Sequence, residues 1–188
     1  MPHTIERAIT GRAKCRGCGG AIPAGTLRFG ERVANTYGDA AGETTQWYHV
    51  TCGALTRPDA FLEGLSTCAE EIEGREWLEH EAALGVAHER LPRIRAAERA
   101  PTGRASCRSC RELISKDGWR IGIAYYEEGR FVPGGFIHAS CAPAFFGTKE
   151  ILPRLKHFSA ALSEGDLSEI EAEIGRGAQH VSSESDAG

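Results

Sequence analysis

Residues 10–18 read Thr10-Gly11-Arg12-Ala13-Lys14-Cys15-Arg16-Gly17-Cys18, and residues 102–110 read Thr102-Gly103-Arg104-Ala105-Ser106-Cys107-Arg108-Ser109-Cys110. Each stretch ends in a Cys-x-x-Cys pair, and each is completed downstream by a His-x-x-Cys pair, His49 with Cys52 and His138 with Cys141. A tight Cys-x-x-Cys lets two thiolates converge on one metal, and the distant His-x-x-Cys closes a tetrahedron once the chain folds back. Cys15, Cys18, His49 and Cys52 are therefore predicted to hold one structural Zn2+, and Cys107, Cys110, His138 and Cys141 a second. A redox Cys-x-x-Cys would need neither the histidine half nor the duplication. Four protein ligands leave no open position for water, which argues against catalysis at the metal.

The ligands sit inside a wider repeat. A shift of 92 positions lays Glu6–Gly30 over Glu98–Gly122 without a gap, with 13 of 25 residues identical. Arg12 then matches Arg104 and Arg28 matches Arg120, so the two units read as duplicated. Each unit spans fewer than 40 residues from first ligand to last, a length at which an apolar core alone rarely suffices. Metal is the expected staple.

Composition narrows the setting. Met1-Pro2-His3-Thr4 begins no signal peptide, and no apolar run approaches the roughly 18 residues of a membrane span. The sequence thus predicts an intracellular protein without membrane association, in cytoplasm or nucleoid if bacterial and in the nucleus if eukaryotic. Seven cysteines, an odd number in a reducing compartment, argue against disulfides. The net charge of −4 is segregated: residues 1–56 carry +2 and 100–158 carry +4, while 57–99 carry −4 and 159–188 carry −6. Two mildly basic units predict modest electrostatic attraction to a polyanion.

The predicted fold class is α+β: two small zinc-stabilised modules, each a short antiparallel sheet plus helix, joined by a helical segment. The expected organisation is a first finger over 1–56, a helical connecting segment over 57–99, a second finger over 100–158, and a short helix with a disordered acidic tail over 159–188. Phe61, Leu65, Cys68 and Ile72 recur at helical spacing in the connecting segment, with breaks expected at Gly74 and Gly85 and an end near Pro92. Asp166 is the expected cap of the last helix, which carries Leu167, Ile170 and Ile174 on one face. Loops rich in turn formers are expected over 35–46 and 127–135. Trp47, Tyr48, Phe136 and Ile137, directly before the ligand histidines, read as core beside the metal.

Thr-Gly-Arg-Ala-x-Cys-Arg-x-Cys, followed by Ile, by Arg-x-Gly, and by Trp47-Tyr48-His49-x-x-Cys52, resembles the zinc finger of poly(ADP-ribose) polymerases, DNA ligase III and plant DNA 3′-phosphatases. The resemblance covers roughly residues 5–56 and 97–145. It implies recognition of DNA nicks and ends rather than of sequence. By motif position, it places the backbone grip on Arg12 and Arg28 in the first finger and on Arg104 and Arg120 in the second. The apolar residues it expects over an exposed base pair are Phe131 and Val132 in the second finger, whereas the first offers only Tyr37. Arginine's planar fork suits phosphate, and an apolar cap is indifferent to base identity.

The resulting expectation is a zinc-dependent, sequence-independent binder of DNA strand breaks, not an enzyme. Any chemistry would come from a partner such as a repair enzyme, and the second finger, the more basic, would be the main reader. The residues alone also fit a zinc-stapled protein-interaction adaptor or an RNA-binding module.

Overall fold

The structure, a computed structural model, describes residues 2–35 and 42–185. Alternation along Leu27–Ala34 (β2) sets the first sheet: Phe29 and Glu31 point inward and are buried, while Arg28 and Gly30 lie on the opposite face. β2 is the central strand, paired antiparallel with Thr4–Arg7 (β1) and with Glu43–His49 (β3). Val50–Thr56 (α1) and Pro58–Ser66 (α2) cover its inner face, and Arg75–Ala87 (α3) packs on those two helices. Phe29 meets Phe61 edge-on at 5.5 Å and Tyr48 at 5.8 Å, and Leu55, Phe61 and Leu65 are at most 2% exposed. Each such side chain contributes about 1.5–3 kcal/mol by leaving water.

The second sheet repeats this plan with Ile94–Arg99 (β4), Trp119–Glu127 (β5) and Arg130–His138 (β6), again in sequence order. Ile121, Ile123 and Ile137 face inward. Leu152–Phe158 (α5) packs on β4, and Ala142–Phe146 (α4) and Glu164–Ser185 (α6) pack on each other; the three bring Phe146, Leu155, Ile170 and Ile174 into the core. The protein is therefore α+β, with two small antiparallel sheets and their helices. It divides into two compact units, residues 1–87 with 126–131 and residues 88–125 with 132–188. Among the described residues, no helix is long and apolar enough to cross a membrane.

Several local expectations are corrected. The expected loop over 127–135 is mostly strand, because Glu128 (φ 48°) and Gly129 (φ 79°) form a tight two-residue turn with both residues left-handed. Pro133 is tolerated within β6 because that strand lies at the sheet edge. β3 likewise starts at Glu43, inside the expected loop of 35–46. α3 runs through Gly85, and residues 94–99 form the strand β4 rather than a helical end.

At α6 the cap is Ser163, not Asp166: the Ser163 Oγ accepts from the Asp166 N–H at 3.1 Å, and the Asp166 carboxylate accepts from the Ser163 N–H at 2.9 Å. The Ser163 hydroxyl, which donates to that carboxylate at 2.7 Å, and then the Ser163 N–H hold the Asp166 carboxyl below its ordinary range. The helix runs on to Ser185, through much of the stretch expected as a disordered acidic tail.

Candidate metal centres and nucleic-acid interface

Each zinc turn is built by the backbone. In the first unit, Cys15 N–H donates to Gly20 O at 2.8 Å and Gly19 N–H donates to Cys15 O at 2.8 Å, which curls the turn so that both thiols face one point. Arg16 N–H donates to Trp47 O at 2.9 Å and ties that turn to the end of β3. His49 ends β3, and Cys52 lies on the first turn of α1. The donor atoms of Cys15, Cys18, His49 and Cys52 all lie within 4.8 Å of one another. Cys107, Cys110, His138 and Cys141 converge in the same way, with Cys107 N–H on Glu112 O at 2.8 Å and Arg108 N–H on Phe136 O at 2.8 Å.

The imidazoles are oriented for metal. His49 Nε2 lies 3.0 Å from Ala21 O, an atom that can only accept, so Nε2 carries the proton. Nδ1 is thereby left with its lone pair toward the thiols, 3.4 Å from Cys18 Sγ and 3.8 Å from Cys52 Sγ. In the second unit, His138 Nε2 lies 3.2 Å from Leu113 O, and Nδ1 lies 3.4 and 3.8 Å from the sulfurs of Cys110 and Cys141. Backbone N–H groups support the sulfurs as anions: His49 N–H reaches Cys15 Sγ at 3.3 Å, and His138 N–H reaches Cys107 Sγ at 3.4 Å.

Crowded together, the thiols cannot all ionise unaided. A hydrogen bond from Cys52 draws Cys15 down to about 4, while that same bond, then burial, pushes Cys52 up. In the second cluster burial raises Cys107, but N–H groups outweigh it and bring it down to about 7. Burial first, then the Cys107 charge, pushes Cys141 up to about 12. A dication at the focus removes that conflict by taking every thiol as thiolate. Three sulfurs and one imidazole nitrogen, closed and tetrahedral in character, fit structural zinc, and the protein holds two such sites.

The description "Poly(ADP-ribose) polymerase and DNA-Ligase Zn-finger region" matches residues 6–88. Residues 6–88 belong to the PARP-type zinc-finger family. The second unit repeats the PARP-type ligand set and strand order, which makes the fingers a tandem pair. Similar proteins include "Poly [ADP-ribose] polymerase" of Drosophila melanogaster, 29% identical over 141 residues, covering 68% of this chain and 14% of that protein. The protein of the same name from Sarcophaga peregrina is 28% identical over 145 residues, covering 64% of this chain and 14% of its own length. "Poly [ADP-ribose] polymerase 1" of Oryza sativa subsp. japonica is 29% identical over 143 residues, covering 72% and 14%. The chain thus spans about 14% of the length of these curated relatives.

The matched arginines of the two fingers fall into two kinds. Arg12 and Arg104 are exposed on the turns that lead into Cys15 and Cys107, and neither makes an ion pair among the described residues. Arg28 and Arg120 are each 8% exposed. Arg28 donates to Glu6 at 2.6 Å and stacks on Trp47 at 3.4 Å; Arg120 donates to Glu98 at 2.5 Å and stacks on Phe136 at 3.6 Å. Glu6 lies directly across from Arg28, and Glu98 across from Arg120. Sequence reasoning missed these two carboxylates as functional neighbours, although both belong to the identical positions of the repeat.

Tyr48 and Ile137 are fully buried as expected, but Trp47 and Phe136 are not core. Period-two alternation turns them to the outer face, half-exposed under their arginines. Phe131 and Val132 are half-buried on β6, with Phe131 5.0 Å from Tyr126. Tyr37 lies outside the described residues.

One further residue carried no sequence signal. Arg111 follows Cys110 at φ 72°, where the first finger uses Gly19 at φ 76°. A left-handed conformation costs a residue other than glycine about 1–2 kcal/mol.

Proposed function

We propose that the protein binds DNA at strand breaks, whether nicks or ends, without reading sequence. In this reading two zinc-stapled fingers supply phosphate contacts and an apolar cap, and chemistry at the break belongs to a partner such as a repair enzyme. The observation that carries the reading is the matched pair Arg12 and Arg104: exposed, without carboxylate partners, and held on turns that the zinc sites fix. A rigidly presented guanidinium suits a phosphate and loses little freedom on binding. The names of the similar polymerases and the family's description support the same reading.

Arg28 and Arg120 enter differently. Both guanidiniums are buried and already share their charge with Glu6 or Glu98, so these two contribute less affinity than the exposed Arg12 and Arg104. Their main task is to hold Trp47 and Phe136 flat on the outer sheet face. Phe131 and Val132 cap the exposed base pair, and the second finger is the main reader because it carries more positive charge.

The test uses zinc-loaded protein with nicked, blunt-ended, intact circular and single-stranded DNA of one length, and RNA alongside, at two salt concentrations. Nicked and blunt-ended duplex should bind more tightly than intact circle, with affinity falling as salt rises. Equal binding to intact and broken duplex would remove the break reading. Absence of a salt effect would remove phosphate contact and favour a protein-docking role, and preference for RNA would favour the RNA reading.

A further inference from the structure

Arg111 occupies a position that the turn itself does not want filled. The bend after the second cysteine is the same in both fingers, closed by Gly19 N–H on Cys15 O at 2.8 Å and by Arg111 N–H on Cys107 O at 3.0 Å. Glycine suits this bend, and the second finger carries a strained, exposed arginine instead. Two residues on, Leu113 stands 61% exposed where the first finger has Ala21. Neither change serves packing, since both side chains face solvent. Backbone strain that no packing explains concentrates at binding sites.

Arg111 borders a cavity of about 310 Å³ that it shares with Arg108, Ser106 and Phe136. Arg108 is posed there: its Nε donates to Gly134 O at 3.0 Å. Gly135, at φ 98°, makes room for it, because a Cβ at that position would come within 2.8 Å of the Arg108 Nε. Among the described residues, neither Arg108 nor Arg111 has a carboxylate partner. The small side chains of Ala105 and Ser106 leave the space open, and Phe136 supplies an apolar wall.

Two guanidiniums on one cavity match an anion of two charges. An internal phosphodiester carries one charge, whereas a phosphate monoester near neutral pH carries close to two and offers three acceptor oxygens. We propose that this cavity of the second finger binds the terminal phosphate monoester of a DNA break, so that the protein distinguishes a phosphorylated end from an unphosphorylated one. The first finger has Gly19 in place of Arg111 and Lys14 in place of Ser106, so it does not repeat the pair of guanidiniums over an open cavity and does not discriminate. This inference rests on the break-binding reading above.

The test measures binding of the full zinc-loaded chain to nicked circles whose ends are 5′-phosphate with 3′-hydroxyl, 5′-hydroxyl with 3′-hydroxyl, or 5′-hydroxyl with 3′-phosphate. An intact circle is the fourth arm. The variant is Arg111→Gly, which restores the residue the turn prefers, with zinc content and circular dichroism checking that the fold is kept. The parent should bind one phosphorylated nick about tenfold more tightly than the unphosphorylated nick, the scale of one charge-assisted hydrogen bond. Arg111→Gly should lose that difference while still binding nicks. Equal affinity of the parent for all three nicks overturns the inference, as does an Arg111→Gly variant that keeps the full difference. Preference for nicks over the intact circle without phosphate discrimination removes this inference alone. Equal binding to nicked and intact circles removes the break reading.

Discussion

The two fingers share their zinc chemistry and differ in what lies beneath it. In the first, Tyr48 and Glu31 are buried on the inner sheet face, and Arg57 grips Glu31 with Nε at 2.8 Å and Nη2 at 2.5 Å. The Tyr48 hydroxyl lies 3.2 Å from the same carboxylate; burial first, then the Glu31 charge, pushes its phenol up from the ordinary range. In the second finger the matching positions are Ile137 and Ile123, at 0% and 3% exposure. One scaffold therefore tolerates a polar network or an apolar core under the same sheet, while the outer face keeps its carboxylate, arginine and aromatic ring. A buried ion pair and well-packed apolar residues can give similar stability, so the inner face is free to drift. The preserved outer face points to function there.

Zinc removal should separate the fingers most strongly. Cys18→Ala should unfold the first finger alone and Cys110→Ala the second alone. Each loses metal binding on the order of 10–16 kcal/mol, seen as one zinc per chain and a partial loss of circular dichroism. Complete unfolding in either variant would break the picture of two separately stapled modules. Next comes the core contrast. Glu31→Ala should destabilise the first unit by about 3 kcal/mol, the low end for a broken buried pair because Arg57 keeps some exposure. Trp47 fluorescence during denaturant unfolding reads that loss, and Ile123→Val in the second unit should cost only about 0.5–1.5 kcal/mol.

The outer faces can be compared by binding. Phe131→Ala should weaken nick binding by about 1–3 kcal/mol if the ring caps a base, with little change for intact duplex. A variant that binds nicks as tightly as the parent shows that Phe131 does not stack. Smallest is the loss of single phosphate contacts: Arg12→Ala and Arg104→Ala should each lower the logarithmic salt slope by about one unit, on every DNA alike.

The zinc ligands were legible in the sequence because metal chemistry dictates residue type and spacing, and the tandem architecture because the repeat carries matching flanks. The helix expected in each module appears as α1 and α4, which begin within or just after the His-x-x-Cys halves. What escaped depends on three-dimensional register. That Glu6 holds Arg28, and Glu98 holds Arg120, follows only once β1 and β4 are aligned against their neighbours. The tight turn at Glu128-Gly129 was hidden by Pro133, Gly134 and Gly135, which resemble a loop but sit on an edge strand. Arg111 gave no signal, since propensity puts glycine in its place.

The central claim, that the second finger reads the break, is tested most directly by the ratio of affinities for nicked over intact circular DNA in the parent, Cys18→Ala and Cys110→Ala. The account predicts that Cys18→Ala keeps most of the parent's preference and that Cys110→Ala loses it. The reverse pattern, or an unchanged ratio in both variants, would contradict it.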